Sequence, residues 1–175
     1  MTRYNYWTAA SLGASGIALS TLVPGGPIET RSFAHINPFT LGAFNTFLTT
    51  LCIGSLLLVY FVWKAERWAI MAAVCFGLSY LGVYGLDLAQ IFPVSPDAMS
   101  PALLIIEILG AIAAVPLTLL ALTALRFPSQ ENWVTAPSAH GQASLFSPTP
   151  TMATIGVLLI GLGIIVFATR SAMGI

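Results

Sequence analysis

The chain has 175 residues, of which 57% are hydrophobic and only 7% charged. A soluble domain carries roughly 25% charged residues, so a water-facing surface cannot be built here and lipid is the expected solvent for most of the protein. Six basic and six acidic residues balance to a formal net charge of zero, which argues against nucleic acid as a partner and against strong docking to anionic lipid.

Five apolar segments predict an all-α integral membrane protein: a bundle of five transmembrane helices, with a four-helix core in residues 1–126 and a C-terminal helix after a long linker. The first segment, about residues 7–23, is short for a bilayer. Its spacings Ala9/Gly13, Ala10/Ala14, Ser11/Ser15 and Gly16/Ser20 suit close packing against other helices. Arg3 ahead of it and the Pro-Gly-Gly-Pro run behind it also fit a signal peptide; the segment is read here as a retained span. The second (about 40–63) and third (about 68–92) are joined through the turn 64–67 into an antiparallel hairpin. The fourth (about 102–125) is entered through a connector bounded by Pro93 and Pro101, and Pro116 inside it is expected to kink it. Residues 127–151, rich in Pro, Ser, Thr and Gln, read as a linker. The C-terminal stretch 152–175 holds the purest apolar run, free to lean on a neighbouring subunit.

Basic residues set the expected orientation. Arg3, Lys64, Arg67 and Arg126 fall on one side and Arg31 and Arg170 on the other, which places the N-terminus in the cytoplasm, most simply across a bacterial plasma membrane. Trp7, Tyr60, Trp63 and Trp68 fall at the inner helix ends, where aromatic anchors belong.

The chemistry concentrates in Asp87 and Glu107. An ionisable group within a span costs roughly 2.5–3.5 kcal/mol on insertion scales unless it is paired or wetted. Asp87 precedes Pro93 by six residues and Glu107 follows Pro101 by six. Helical rise then places each ~9 Å below its helix end, at a similar depth in the outer half of the membrane. Asn45 of the second span reaches the same level. Tyr80, Tyr84, Asp87 and Ile91 share a helical face, so two phenols are expected to donate hydrogen bonds to the Asp87 carboxylate. The loop above holds Glu29, Arg31 and His35. Arg31 is the cation expected to neutralise Asp87 or Glu107 through two hydrogen bonds, and His35 is a candidate proton carrier or ligand.

Other chemistries lack their residues. No Gly-rich loop follows a strand to hold a nucleotide, no pair of histidines sits at matching depth for haem, and no intramembrane lysine is available for a Schiff base. No motif assembles a nucleophile, so enzymatic activity is not expected and no cofactor is named. Nothing in the spacing requires a metal. His140 is expected to be solvated in the linker, and Cys52 and Cys75 to be small hydrophobes at different depths rather than a redox pair. Three function classes remain. The favoured one is an accessory, assembly or structural subunit that packs against other membrane subunits or copies of itself. The alternative is a proton-coupled transporter or proton-conducting protein, in which like charges at one level let Asp87 and Glu107 share a proton. The third is a binder of a lipid-soluble ligand, such as a quinone or pigment, seated against Tyr80 and Tyr84. Beside all three stands a purely structural role, in which the carboxylates are interhelical glue.

Overall fold

The computed structural model describes residues 3–24, 26, 28–127 and 152–174, with backbone alone at 152–155, 157 and 158. Most of the expected linker, including His140, lies outside the described residues. Among the described residues the chain is all-helical: α1 (Arg3–Ser20), α2 (Pro38–Trp63), α3 (Arg67–Leu88), α4 (Pro101–Arg126) and α5 (Met152–Ala172). Three of these, α2, α3 and α4, are long and apolar enough to cross a membrane.

Helix starts follow local chemistry. Asn37 caps α2 by accepting from the Phe39 N–H at 2.9 Å, and Pro38 follows in the first turn. Ser100 caps α4 by accepting from the Leu103 N–H at 3.2 Å, with Pro101 next. Both pairs satisfy orphan donors and place proline where its missing N–H is harmless.

Helix ends are less conspicuous. At the end of α2, the Glu66 N–H reaches the Phe61 carbonyl (3.1 Å) and the Ala65 N–H reaches Val62 (3.0 Å), with Ala65 at φ 62°. At the end of α3, the Ile91 N–H reaches Leu86 (2.9 Å) and the Gln90 N–H reaches Asp87 (2.8 Å), with Gln90 at φ 53°. Each is a Schellman closure in which the left-handed residue is not glycine. The third helix therefore stops at Leu88, short of the apolar run that continues to Phe92. The first helix spans Arg3–Ser20 rather than about 7–23, and the Thr21 and Leu22 N–H groups turn back to Ala18 and Leu19.

The hairpin α3–α4 has the closest packing, α1 lies against α2 and α4, and α5 leans on α2 alone among the described elements. Small residues permit the approach. A Cβ on Gly110 would fall 2.6 Å from the Tyr84 ring, one on Gly16 would fall 3.3 Å from the Cys52 carbonyl, and one on Gly77 would collide with the Thr118 hydroxyl. On α4, Ala114, Ala121 and Ala124 are buried together with Leu103 and Leu117, while Ile105, Leu109, Ile112 and Leu119 are exposed. Exposed large apolar side chains are the arrangement expected where lipid surrounds the bundle.

The loop after α1 and the connector after α3 meet at one end of the bundle, here the loop end. The Ser32 N–H donates to Asp97 Oδ2 (2.7 Å), the Ser95 hydroxyl to the Ser32 carbonyl (2.9 Å), and the Ser100 hydroxyl to the Ile28 carbonyl (3.4 Å). The Phe33 N–H donates to the Ala172 carbonyl at 2.7 Å, and Phe33, Leu41 and Ala172 pack together. The end of α5 is thus fastened to its own chain.

Candidate functional site

Arg31 is buried under the loop and holds two carboxylates at once. Its Nε and Nη2 donate to Glu29 Oε1 (3.0 Å) and Oε2 (2.6 Å), while Nη1 and Nη2 donate to Asp87 Oδ1 (2.9 Å) and Oδ2 (2.7 Å). The Arg31 main-chain N–H adds a bond to Glu29 Oε1 at 3.0 Å, and the guanidinium lies 5.4 Å from the centre of the Phe33 ring. Burial by itself would loosen the guanidinium's proton. The hydrogen bonds it donates to the Glu29 and Asp87 carboxylates, with their negative charge, more than offset this and hold it above the ordinary arginine range.

Glu107 completes the cluster less tightly, with Oε1 3.8 Å from Arg31 Nη2, an ion-pair distance without a hydrogen bond. Three carboxyl groups therefore face one guanidinium, and the place a cation would take among them is filled by Arg31. Among the described residues no group of His, Cys, Asp and Glu is arranged to hold a metal.

Asp87 lies next to the last residue of α3 rather than a turn and a half inside it, because the helix closes at Leu88. A carboxylate there opposes the helix dipole, and the Arg31 fork compensates. The expected bonds from the phenols do not form. Both Asp87 oxygens accept from Arg31, while the Tyr80 hydroxyl pairs with Ser55 Oγ at 2.8 Å. Tyr84 Oη and Glu107 Oε2 are buried with no hydrogen-bond partner among the described residues. Tyr80 and Tyr84 stack with ring centres 6.2 Å apart. Ile91 lies beyond the helix and is exposed. Asn45 is buried, and its amide donates to Thr169 Oγ1 on α5 at 3.1 Å. His35 is exposed and takes no part in the cluster. Phe33 and Thr169 belong to the site and escape sequence reasoning. Phe33 lacks any charge signal, and Thr169 sits on a helix whose neighbour no pattern specifies.

Beneath the cluster lies a cavity of about 250 Å³, with apolar walls that include Leu19, Phe44, Leu48 and Phe167 and a polar end formed by Asn45, Tyr84, Asp87 and Glu107. Both α1 and α5 contribute to its walls, through Leu19 on one and Ile164, Phe167 and Ala168 on the other.

Residues 4–139 match a protein family described as a domain of unknown function (DUF8051). Glu29, Arg31, Asp87 and Glu107 all fall inside that stretch, whereas α5 lies beyond it. No curated protein and no solved structure matches the chain. Since the match covers most of its length, the chain belongs to the DUF8051 family.

Proposed function

We propose that this is a five-span membrane protein with a cytoplasmic N-terminus, and that it binds a small lipid-soluble molecule in the cavity beneath the ion cluster. One observation carries the binding reading: an apolar cavity of about 250 Å³ lies beneath the ion cluster, and Asn45, Tyr84, Asp87 and Glu107 are among the residues that line it. The orientation draws on the end opposite the cluster, where Arg3, Lys64, Arg67 and Arg126 accompany exposed Tyr6, Trp7, Trp63 and Trp68. The loop end is then external.

Native mass spectrometry of the full chain, released in mild detergent, should retain a small adduct. Leu48→Phe, which extends a ring into the cavity, should lose it. Bare chain from the parent protein would defeat the binding reading, and a mass containing other polypeptides would favour the accessory-subunit role instead. Proton-coupled transport is a second reading, favoured by the excess of carboxyl groups over Arg31. It expects Glu107→Gln to abolish pH-driven flux in liposomes, and absence of flux in the parent ends it.

A further inference from the structure

Among the described residues no neighbour donates a hydrogen bond to Glu107. The residue is only 2% exposed, and its ion-pair contact, Arg31 Nη2, lies 3.8 Å from Oε1. Both hydrogens of that nitrogen are already committed, one to Glu29 Oε2 at 2.6 Å and one to Asp87 Oδ2 at 2.7 Å. The Tyr84 hydroxyl is buried without a partner, the Tyr80 hydroxyl is paired with Ser55, and the Asn45 amide goes to Thr169.

An ionised carboxylate in that position would keep its desolvation cost and gain no donor in return, a state that buried groups avoid by becoming neutral. It would also meet like charge. The loop brings Glu29 and Arg31 to it and α3 brings Asp87 and Tyr84, while α2 adds only Asn45 and the Cys52 thiol. The one charge of α1, Arg3, is at the opposite end, the one charge of α5, Arg170, is exposed, and α4 has no other charge before Arg126. His35 is exposed, and Asp97 accepts from the Ser32 N–H. Arg31 is thus the only cation for three carboxyl groups. Glu107 and Asp87 lie within hydrogen-bonding reach of each other, and two carboxyl groups can make that bond only when one of them carries a proton.

Arg31 breaks the symmetry of the pair. Its fork fits a carboxylate at Asp87, where both oxygens accept, and leaves Glu107 with nothing. We infer that Glu107 is a proton-binding site: at neutral pH it is an acid whose O–H donates to the Asp87 carboxylate. The proton is not shared evenly between two like groups at one level but sits on α4. It gives Asp87 a third hydrogen bond and leaves Glu29 and Asp87 alone as the charges that Arg31 must balance. The site rests on neither reading above, since it needs no occupant in the cavity and no flux.

Infrared spectroscopy of the full chain in an alkyl maltoside, a detergent with no carbonyl of its own, tests this. At pH 7 in heavy water the parent should show the carbonyl stretch of a protonated carboxyl, above the amide band. In chain made by cell-free synthesis, that band should shift when glutamate carries carbon-13 in its side-chain carboxyl and stay in place when aspartate does. It should be missing from Glu107→Gln. The same substitution should keep the thermal midpoint, because a carboxamide N–H donates to Asp87 as the acid does, whereas Glu107→Leu, with no donor, should lower it. A parent without the acid band overturns the proposal, and a band that moves with labelled aspartate places the proton on Asp87 and overturns it equally. Glu107→Gln as damaging to the midpoint as Glu107→Leu removes the donor role. The isotope pair in the parent decides by itself if Glu107→Gln does not fold. None of these failures touches the cavity, whose occupant is tested separately by the retained adduct.

Discussion

Replacing Arg31 would strand Glu29, Asp87 and Glu107 together, because each lies within ion-pair distance of its guanidinium. Removing one member of a buried ionic group typically costs about 3–5 kcal/mol, since the partners keep their desolvation penalty without their attraction. Arg31→Leu should therefore lower the thermal unfolding midpoint sharply in detergent. Adding Asp87→Asn to that variant should recover part of the loss, because one stranded charge disappears. An unchanged midpoint in Arg31→Leu, or a second substitution that only adds damage, would rule out the cluster as a stabilising unit. Arg31→Lys should also fail to substitute, since an ammonium cannot form both forks. The guanidinium's proton affinity is raised on folding. Its contribution is therefore complete below the unfolded value and fades only as pH rises through the folded one, leaving it intact at working pH. At this scale the site was largely legible: a charge in so apolar a chain is conspicuous, and Arg31, Asp87 and Glu107 announced themselves. The hydrogen-bond partners were not legible. Tyr80 and Tyr84 sit on the expected face, but competition decides who bonds to whom, and Arg31 outcompetes them for Asp87 while Ser55 takes Tyr80.

At the scale of elements, two helices end on residues ill suited to the backbone they adopt. Ala65 and Gln90 hold positive φ, a conformation that costs an L-residue roughly 1–2 kcal/mol. Glycine removes that cost but adds freedom to the unfolded chain, about 0.4–1 kcal/mol in the other direction. Ala65→Gly should thus stabilise the protein by up to about 1 kcal/mol, read as a raised unfolding midpoint; a lowered midpoint would mean that the methyl group packs usefully. The same residues explain what sequence could and could not deliver. Asn37-Pro38 and Ser100-Pro101 mark the starts of α2 and α4 clearly, because capping and proline chemistry are local. The end of α3 carries neither glycine nor proline within residues 89–92, so its apolar run reads straight through the closure at Leu88. That short stretch moved Asp87 from the helix interior to its terminus.

For the whole molecule, composition made the lipid environment plain, yet the order in which helices pack was hidden. In a membrane the apolar faces carry no hydrophobic preference for one another, so neighbours are chosen by small-residue contacts and single hydrogen bonds such as Asn45 to Thr169. The proposed topology makes a direct prediction. In a chain with Cys52 and Cys75 replaced by alanine, Thr30→Cys should react with a membrane-impermeant maleimide added outside intact cells. Glu66→Cys, at the opposite end, should react only after permeabilisation. Both positions are exposed, so burial does not confuse the readout, and labelling of Glu66→Cys from outside would invert the orientation.

The attachment of α5 has a consequence in time. Translation runs from the N-terminus, so the four helices that carry the ion cluster are complete before Met152–Ala172 leaves the ribosome. Until that last helix docks on α2 and the Ala172 carbonyl meets the Phe33 N–H, one wall of the cavity is missing. On the binding reading proposed above, an occupant can reach the cavity through that missing wall during biogenesis, before α5 arrives to complete it.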